Sequence, residues 1–181
     1  MNPLFVIGAG GFGRAVVDAA VSQGTWLPIG FLDDREPDVA QIMRLPVLGK
    51  IADLPALRSK SNHLVVAIGD NRHRAAASDK AREWGYSLAT IIHPRAYVSA
   101  EALVGEGSIV MAGAVVSAGV RIGRNVIVNA GAILDHDVTV EDGARLGVGC
   151  SAGGAAKIRA GAWLREGAVL LAGHVLEADR A

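Results

Sequence analysis

The stretch Val116-Ser117-Ala118-Gly119-Val120-Arg121-Ile122-Gly123-Arg124-Asn125-Val126-Ile127-Val128-Asn129-Ala130-Gly131-Ala132-Ile133-Leu134 decides the fold. Val116, Ile122, Val128 and Leu134 are spaced by six. The series extends from Ile92 to Leu176, with Ala152 its one weak member. Four residues after each aliphatic comes a second, mostly small residue, such as Ala114, Val120, Val126, Ala132 and Val138; His174 breaks that series. A helix repeats every 3.6 residues and a strand every 2, so neither alone yields a strict period of six. A chain that turns a corner after each short strand does, which predicts a parallel β-helix of hexapeptide repeats. Three such faces make one triangular coil of about 18 residues, and successive coils pair as parallel strands about 4.8 Å apart. The six-spaced aliphatics are expected inside and the small residues at the tight corners. The exposed flanks of such a solenoid call for several copies packed about a threefold axis.

The first part of the chain reads differently. Leu4–Gly8 is a short apolar strand, and 11–23 has helical spacing with Val16, Val17, Ala20 and Val21 on one face. Gly24 ends that helix. Ile29–Leu32 is a second strand, 47–49 a short third and 53–57 a helical turn. His63–Ile68 is a buried strand, and a helix follows from Gly69-Asp70-Asn71 to about Trp84. Strands alternating with helices predict a small Rossmann-like parallel sheet. The expected organisation is an α/β domain over residues 1–86 and an all-β parallel β-helix over 87–181.

Composition narrows the function. Eighteen basic residues balance eighteen acidic ones, so no net field attracts nucleic acid or an anionic membrane. The single cysteine, Cys150, excludes an internal disulfide framework. No apolar run approaches the roughly 20 residues needed to span a bilayer. The start, Met1 to Gly8, lacks the charged lead of a signal peptide. A cytoplasmic protein is expected.

Two spots carry chemistry. Gly8-Ala9-Gly10-Gly11-Phe12-Gly13 fits G-x-G-x-x-G between a strand and a helix, with Asp33 and Asp34 at the end of the next strand. Such glycines let a phosphate approach N–H groups at a helix N-terminus. Gly10, Gly11, Phe12, Asp33 and Asp34 are therefore candidates for substrate binding. Asp70 and Asn71 join them at the same expected sheet edge, where an N-cap role is also open. The second spot is Leu134-Asp135-His136-Asp137-Val138. Leu134 and Val138 occupy inward positions, so His136 projects outward from a corner. Histidine is the side chain best suited to take a proton near neutral pH, and Asp137 can fix its tautomer. Gly154, beside Gly153, falls one coil later and should stack on His136, offering room for a thioester and an N–H for an oxyanion. His136 is the one histidine of the central coils, which argues against a three-histidine zinc site; no metal is expected. No serine or cysteine adjoins it, so direct attack without an acyl-enzyme is expected.

With these residues in place, the chain resembles the sugar O- and N-acetyltransferases of the sialic-acid and bacillosamine type. The resemblance rests on Val6-Ile7-Gly8-Ala9-Gly10-Gly11, Phe31-Leu32-Asp33-Asp34, Ala67-Ile68-Gly69-Asp70-Asn71, Ile92-His93-Pro94, and Asn129-Ala130-Gly131 through His136-Asp137. It implies a nucleotide-sugar-binding domain joined to a left-handed β-helix that forms a homotrimer. It implies His136 as general base, Asp137 as its orienting partner, Asn129 near the sugar, and acetyl-CoA as co-substrate in a groove between adjacent β-helices. Gly153 and Gly154 would lie beside that thioester. Relatives often carry Ser or His where this chain has Gly10 and Phe12. They often carry a second histidine where it has Arg145, whose expected partner is a CoA phosphate or the acceptor. The competing reading is a non-catalytic nucleotide-sugar sensor or assembly partner that retains the fold.

Overall fold

The computed structural model describes residues 1–35 and 41–178. Its contacts divide the chain into two units, Met1–Ile91 and Ile92–Ala181. The junction falls later than the expected boundary after residue 86, because Ser87–Leu88 pairs in parallel with the last long strand of the first unit.

In the first unit, β1 (Asn2–Ile7) leads through the glycine loop into α1 (Gly11–Gln23), and β2 (Trp26–Leu32) follows. A small hairpin, β3 (Gln41–Ile42) and β4 (Leu45–Pro46), takes the place of the expected strand at 47–49; Val47 makes only an isolated bridge to Phe31. A single 3₁₀ turn, Ile51–Asp53, runs into α2 (Leu54–Leu57). Then come β5 (His63–Val66), α3 (Asn71–Glu83) and β6 (Ser87–Leu88). The sheet order is β2-β1-β5-β6. Leu4, Phe5, Val6 and Ile7 are wholly buried, because β1 is central and has both faces covered. On α1 the buried stripe is Gly13, Val16, Val17, Ala19 and Ala20. Val21, expected on that face, is exposed, since the stripe turns away from it towards Ala19. Gly24 closes α1 in the left-handed conformation, its N–H bonded to the Val21 carbonyl. Ile7 lies in register with Leu32 and with Val66, so three strands end at one edge. The glycine loop, Asp33 and Ala67–Gly69 all leave the sheet there.

The second unit is a β-helix of two-residue strands in three five-stranded parallel sheets. Each strand pairs with residues 18 later, as in Ile109↔Ile127 and Arg145↔Trp163. One face contains Ile91–Ile92, Ile109–Val110, Ile127–Val128, Arg145–Leu146 and Trp163–Leu164. A second contains Tyr97–Val98, Val115–Val116, Ile133–Leu134, Ser151–Ala152 and Val169–Leu170. The third contains Leu103–Val104, Arg121–Ile122, Thr139–Val140, Lys157–Ile158 and Val175–Leu176. The interior is Val110, Val116, Ile122, Val128, Leu134, Val140, Leu146, Ile158 and their neighbours. Each large aliphatic contributes roughly 1.5–3 kcal/mol gross on burial.

The small residues expected at the tight corners are packed inside them: Ala114, Ala132, Ala144, Ala156 and Ala162 are all wholly buried, as is Val138. From Val104 onward, the bend itself is made by the residue three after each aliphatic, which takes positive φ. Among the described residues glycine fills nine of these corners, from Gly107 (φ 73°) to Gly173 (φ 71°), and only Asn125, Asp137 and Ala155 replace it. The residue after the bend then turns back into the core. Cys150 occupies such an inward position, and burial pushes its thiol up to about 11, so it is inert packing. Among the described residues no helix is long and apolar enough to cross a membrane.

Candidate active site

The glycine loop and the sheet edge of the first unit enclose a cavity of about 760 Å³. Of the residues expected there, Gly10, Gly11, Phe12, Asp33, Asp34 and Asp70 line it. Asn71 does not: its side-chain oxygen accepts a 2.7 Å hydrogen bond from Arg74, which is itself buried and donates to the Ile68 and Gly69 carbonyls. Asn71 thus helps hold the loop after β5 from behind.

Two glycines are required by close approach. A Cβ at Gly8 (φ 104°) would sit 2.7 Å from the Ala67 carbonyl oxygen, and one at Gly13 would overlap the Gly8 carbonyl. The second brings α1 hard against the end of β1. Gly10 caps α1 without a side-chain hydrogen bond. The first-turn N–H groups therefore face the cavity with no capping side chain, as a phosphate site requires.

Asp33 is buried rather than solvated. Its Oδ2 accepts from the Ala9 N–H at 2.8 Å and from Arg35 Nη2 at 2.8 Å, and its Oδ1 accepts from the Arg35 N–H and Nε, each at 3.0 Å. The Arg35 hydrogen bond, above all, holds the Asp33 carboxyl below its ordinary 3.8. With so many donors in place, Asp33 fastens the glycine loop to β2. Asp34 accepts from the Ile51 N–H at 2.9 Å and fixes the 3₁₀ turn on the far wall. Asp70 caps α3 by accepting from the His73 N–H, and that bond is the main cause of its lowered pKa. Its Oδ1 also lies 3.3 Å from His73 Nδ1. Sequence reasoning missed the three basic side chains of the cavity, Arg35, His73 and Lys80. A signal was available for two of them: His73, Ala76, Ala77 and Lys80 recur at i, i+3, i+4 and i+7 and share one face of α3.

In the second unit His136 occupies the corner between Ile133–Leu134 and Thr139–Val140, with its side chain 64% exposed. Its Nδ1 is 3.0 Å from Asp137 Oδ2. The carboxylate can only accept, so Nδ1 carries the proton and Nε2 is left with a lone pair. The Asp137 hydrogen bond first, and the Asp135 charge second, raise the imidazole pKa above its ordinary 6.5. Asp137 is in the left-handed conformation (φ 59°). Asp tolerates that region better than most residues.

The ring lies flat over Gly154: a Cβ there would sit 2.6 Å from Nε2 and 2.7 Å from Cε1. The space over Gly154 thus holds the imidazole itself. No acceptor for the Gly154 N–H is found among the described residues. Gly153, beside it, leaves no room for a side chain below Ala172. Two expected site residues are elsewhere in the unit. Asn129 follows Ile127–Val128 at a different corner, its Oδ1 accepting from the Ala130 N–H at 2.9 Å. Arg145 lies on the face opposite the His136 corner, its guanidinium 4.4 Å from the centre of the Trp163 ring and bonded to Glu166 at 3.2 Å. Arg165 covers the same ring at 3.9 Å. Among the described residues no group of three His, Cys, Asp or Glu is placed to hold a metal ion.

An α/β domain with a phosphate-type loop, followed by a β-helix carrying a His–Asp pair at a corner, defines the class of β-helical acyltransferases. Comparison with known proteins agrees. Residues 3–81 match the family model for the PglD N-terminal domain. The acetyltransferase domain of PglB from Neisseria gonorrhoeae FA1090, solved in complex with acetyl coenzyme A, is 35% identical; the match covers 98% of this chain and 92% of that one, with a TM-score of 0.79. A histidine-to-asparagine mutant of perosamine N-acetyltransferase from Caulobacter crescentus, in complex with CoA and GDP-perosamine, is 33% identical over 99% of this chain and 90% of that one, with a TM-score of 0.77. WeeI from Acinetobacter baumannii AYE shares the fold at 20% identity, covering 97% of this chain and 96% of that one, with a TM-score of 0.78. No curated protein matches the sequence. The chain belongs to the sugar acetyltransferase family of the sialic-acid and bacillosamine type, and its second unit is a left-handed β-helix.

Proposed function

We propose that this protein transfers an acetyl group from acetyl-CoA to an amino or hydroxyl group of a nucleotide-linked sugar, with His136 as general base. The observation that carries the reading is the His136 corner: an exposed imidazole, tethered through Nδ1 to Asp137 and seated on the bare backbone of Gly154. Nε2 takes the proton of the attacking group as its oxygen or nitrogen bonds to the thioester carbonyl carbon. The carbonyl oxygen becomes negative, and the Gly154 N–H is a donor for it. The carbonyl then re-forms, the carbon–sulfur bond breaks, and the imidazolium returns the proton to the CoA thiolate. In the first unit, the N–H groups of α1 together with Lys80 and His73 suit a pyrophosphate, and Asp33 and Asp34 shape the wall beside it.

The protein acts as a homotrimer in the cytoplasm. Tyr97, Val115, Ile133, Ser151 and Val169 stack in that order on one face, and Tyr97, Ile133 and Val169 are 62%, 46% and 67% exposed. Packing against a second copy removes this apolar stripe from water. Neighbouring copies then supply the second wall of the CoA groove, where Gly153 and Arg145 contribute, and Asn129 serves the sugar. Domain roles follow the division of the chain: nucleotide binding in the first unit, transfer in the second. His136→Ala is to be assayed by thiol release with acetyl-CoA and a panel of nucleotide-linked sugars, GDP-perosamine among them. It should lower turnover by about 10²- to 10⁴-fold while nucleotide-sugar binding persists. An undiminished rate refutes the assignment.

A further inference from the structure

Nitrogen and oxygen can both attack at the His136 corner, and Asp135 takes no part in the transfer as proposed. We infer that Asp135 binds the acceptor and makes this corner selective for a nitrogen nucleophile; the inference rests on the proposed transferase function. Asp135 Oδ1 accepts the His136 backbone N–H at 2.8 Å, which fixes the carboxylate against the corner. Oδ2 is thereby held 3.9 Å from His136 Nε2. It has no other partner among the described residues, and the Asp135 side chain is 54% exposed. Since Nδ1 is engaged by Asp137, Nε2 is the nitrogen that meets the acceptor.

Two acceptor atoms 3.9 Å apart can both stand within about 2.9 Å of one donor atom. A primary amine has two N–H bonds to satisfy them. One faces Nε2 and its proton leaves as the nitrogen–carbon bond forms. The other faces Asp135 Oδ2, stays in place, and becomes the N–H of the product amide. The carbon–sulfur electron pair departs with sulfur, which receives the proton from His136. A hydroxyl has a single O–H, and Nε2 takes it. The oxygen would then face the Asp135 carboxylate with no hydrogen between them, lone pairs against negative charge, at the moment the ester forms. The same geometry that holds an amine in place therefore repels an alcohol.

The test uses the full chain, acetyl-CoA and the nucleotide-linked amino sugars of the same panel. For the best acceptor, kcat/KM is measured alongside the inhibition constant of its hydroxyl counterpart. Asp135→Ala should lower kcat/KM for the amine about 10- to 100-fold, the loss of one hydrogen bond to a charged group. It should leave the inhibition constant of the hydroxyl compound unchanged or tighter. In Asp135→Asn the single amide oxygen keeps the His136 N–H and an NH2 group stands where Oδ2 was, so this variant presents a donor to the amine and should be as poor as Asp135→Ala. Equal losses for both ligands, or an Asn variant that keeps wild-type activity on the amine, overturn the inference while the transferase reading stands. Wild-type protein that acetylates the hydroxyl compound as well as the amine overturns it too. Wild-type protein that acetylates nothing in the panel overturns the transferase reading and this inference with it.

Discussion

Replacing Gly154 by alanine separates the chemistry of the His136 corner from the stability of the fold. The added Cβ would lie 2.6 Å from Nε2, 2.7 Å from Cε1 and 3.2 Å from Cδ2 of the imidazole. Ordinary contact begins at 3.4 Å, so the ring has to withdraw by about 0.8 Å. The backbone at Gly154 is not left-handed, so alanine fits it, and the obstructing group is the exposed end of a side chain. The fold therefore tolerates the change: a compatible Gly→Ala substitution gains about 0.4–1 kcal/mol through the unfolded chain, which offsets much of the local crowding. The expected Tm shift is within about 3 °C. Catalysis does not tolerate it, because a displacement near 1 Å from the reacting geometry costs up to about 10²-fold. Turnover should fall roughly 10- to 100-fold, measured by thiol release from acetyl-CoA with the best nucleotide-sugar acceptor. A second readout needs no substrate. As the ring lifts, its bond to Asp137 stretches, and the pKa of His136, followed by the Cε1 proton shift in NMR, should drop towards its ordinary 6.5. Full activity with an unchanged titration refutes the stacking argument. A collapse in Tm shows instead that Gly154 is there for packing.

Two further substitutions probe the rest of the reading. Asp137→Gly suits the left-handed backbone at φ 59° and removes the main cause of the raised His136 pKa. A base works unprotonated, so the wild-type rate should fall as pH drops through a value above 6.5. In the variant that acid limb should move to lower pH while the plateau falls; an unmoved limb in the pH–rate profile argues against His136 as the base. Asp33→Ala removes the acceptor of the Ala9 N–H and of Arg35. It should raise KM for the nucleotide-sugar about tenfold with kcat nearly kept, the mark of lost ground-state binding, and an unchanged KM refutes the proposed fastening of the loop. The sign of its effect on stability is set by a depressed folded pKa. The Asp33 contribution is present above the ordinary 3.8 and disappears as pH falls through the lower folded value, so the variant should lose its deficit relative to wild type in strong acid.

Much of the architecture was legible because it repeats. A strict period of six forces the three-faced coil, and Leu134 and Val138 fix His136 outside without reference to anything distant. What the repeat does not encode is which small residue makes the bend. Ala132 and Gly131 are both small, yet only the second has positive φ, and the first is core. In the first unit the glycine loop was readable from its spacing, whereas the role of Asp33 was not. Its charge is consumed by Arg35, two residues on, and by the Ala9 N–H, 24 residues back, a contact that exists only once β1 and β2 pair. Asn71 was misplaced for a similar reason: the buried Arg74 draws its side chain away from the cavity. Arg145 and His136 both look outward in the pattern, but they stand on opposite sides of the prism, and only the order of the faces reveals it.

The His136 corner departs from the repeat in a way that links its strain to its chemistry. Among the described residues nine of the twelve left-handed bends of the coil are glycine. A left-handed non-glycine residue costs on the order of 1–2 kcal/mol. Asp137 accepts that cost, and its carboxylate is directed down the edge against Gly119, where a side chain would collide with Oδ1. The imidazole of His136 is directed up the edge against Gly154. Two adjacent side chains are thus housed by bare backbone in the coils below and above, and neither could keep its position if Gly119 or Gly154 carried a Cβ. Gly119 is one of the left-handed bends that the repeat itself fills with glycine, whereas Gly154 has no positive φ and a merely decorative histidine does not need it. The bare backbone at Gly154, together with the energetic cost at Asp137, is the argument for a built site at this corner rather than an exposed residue on a structural repeat.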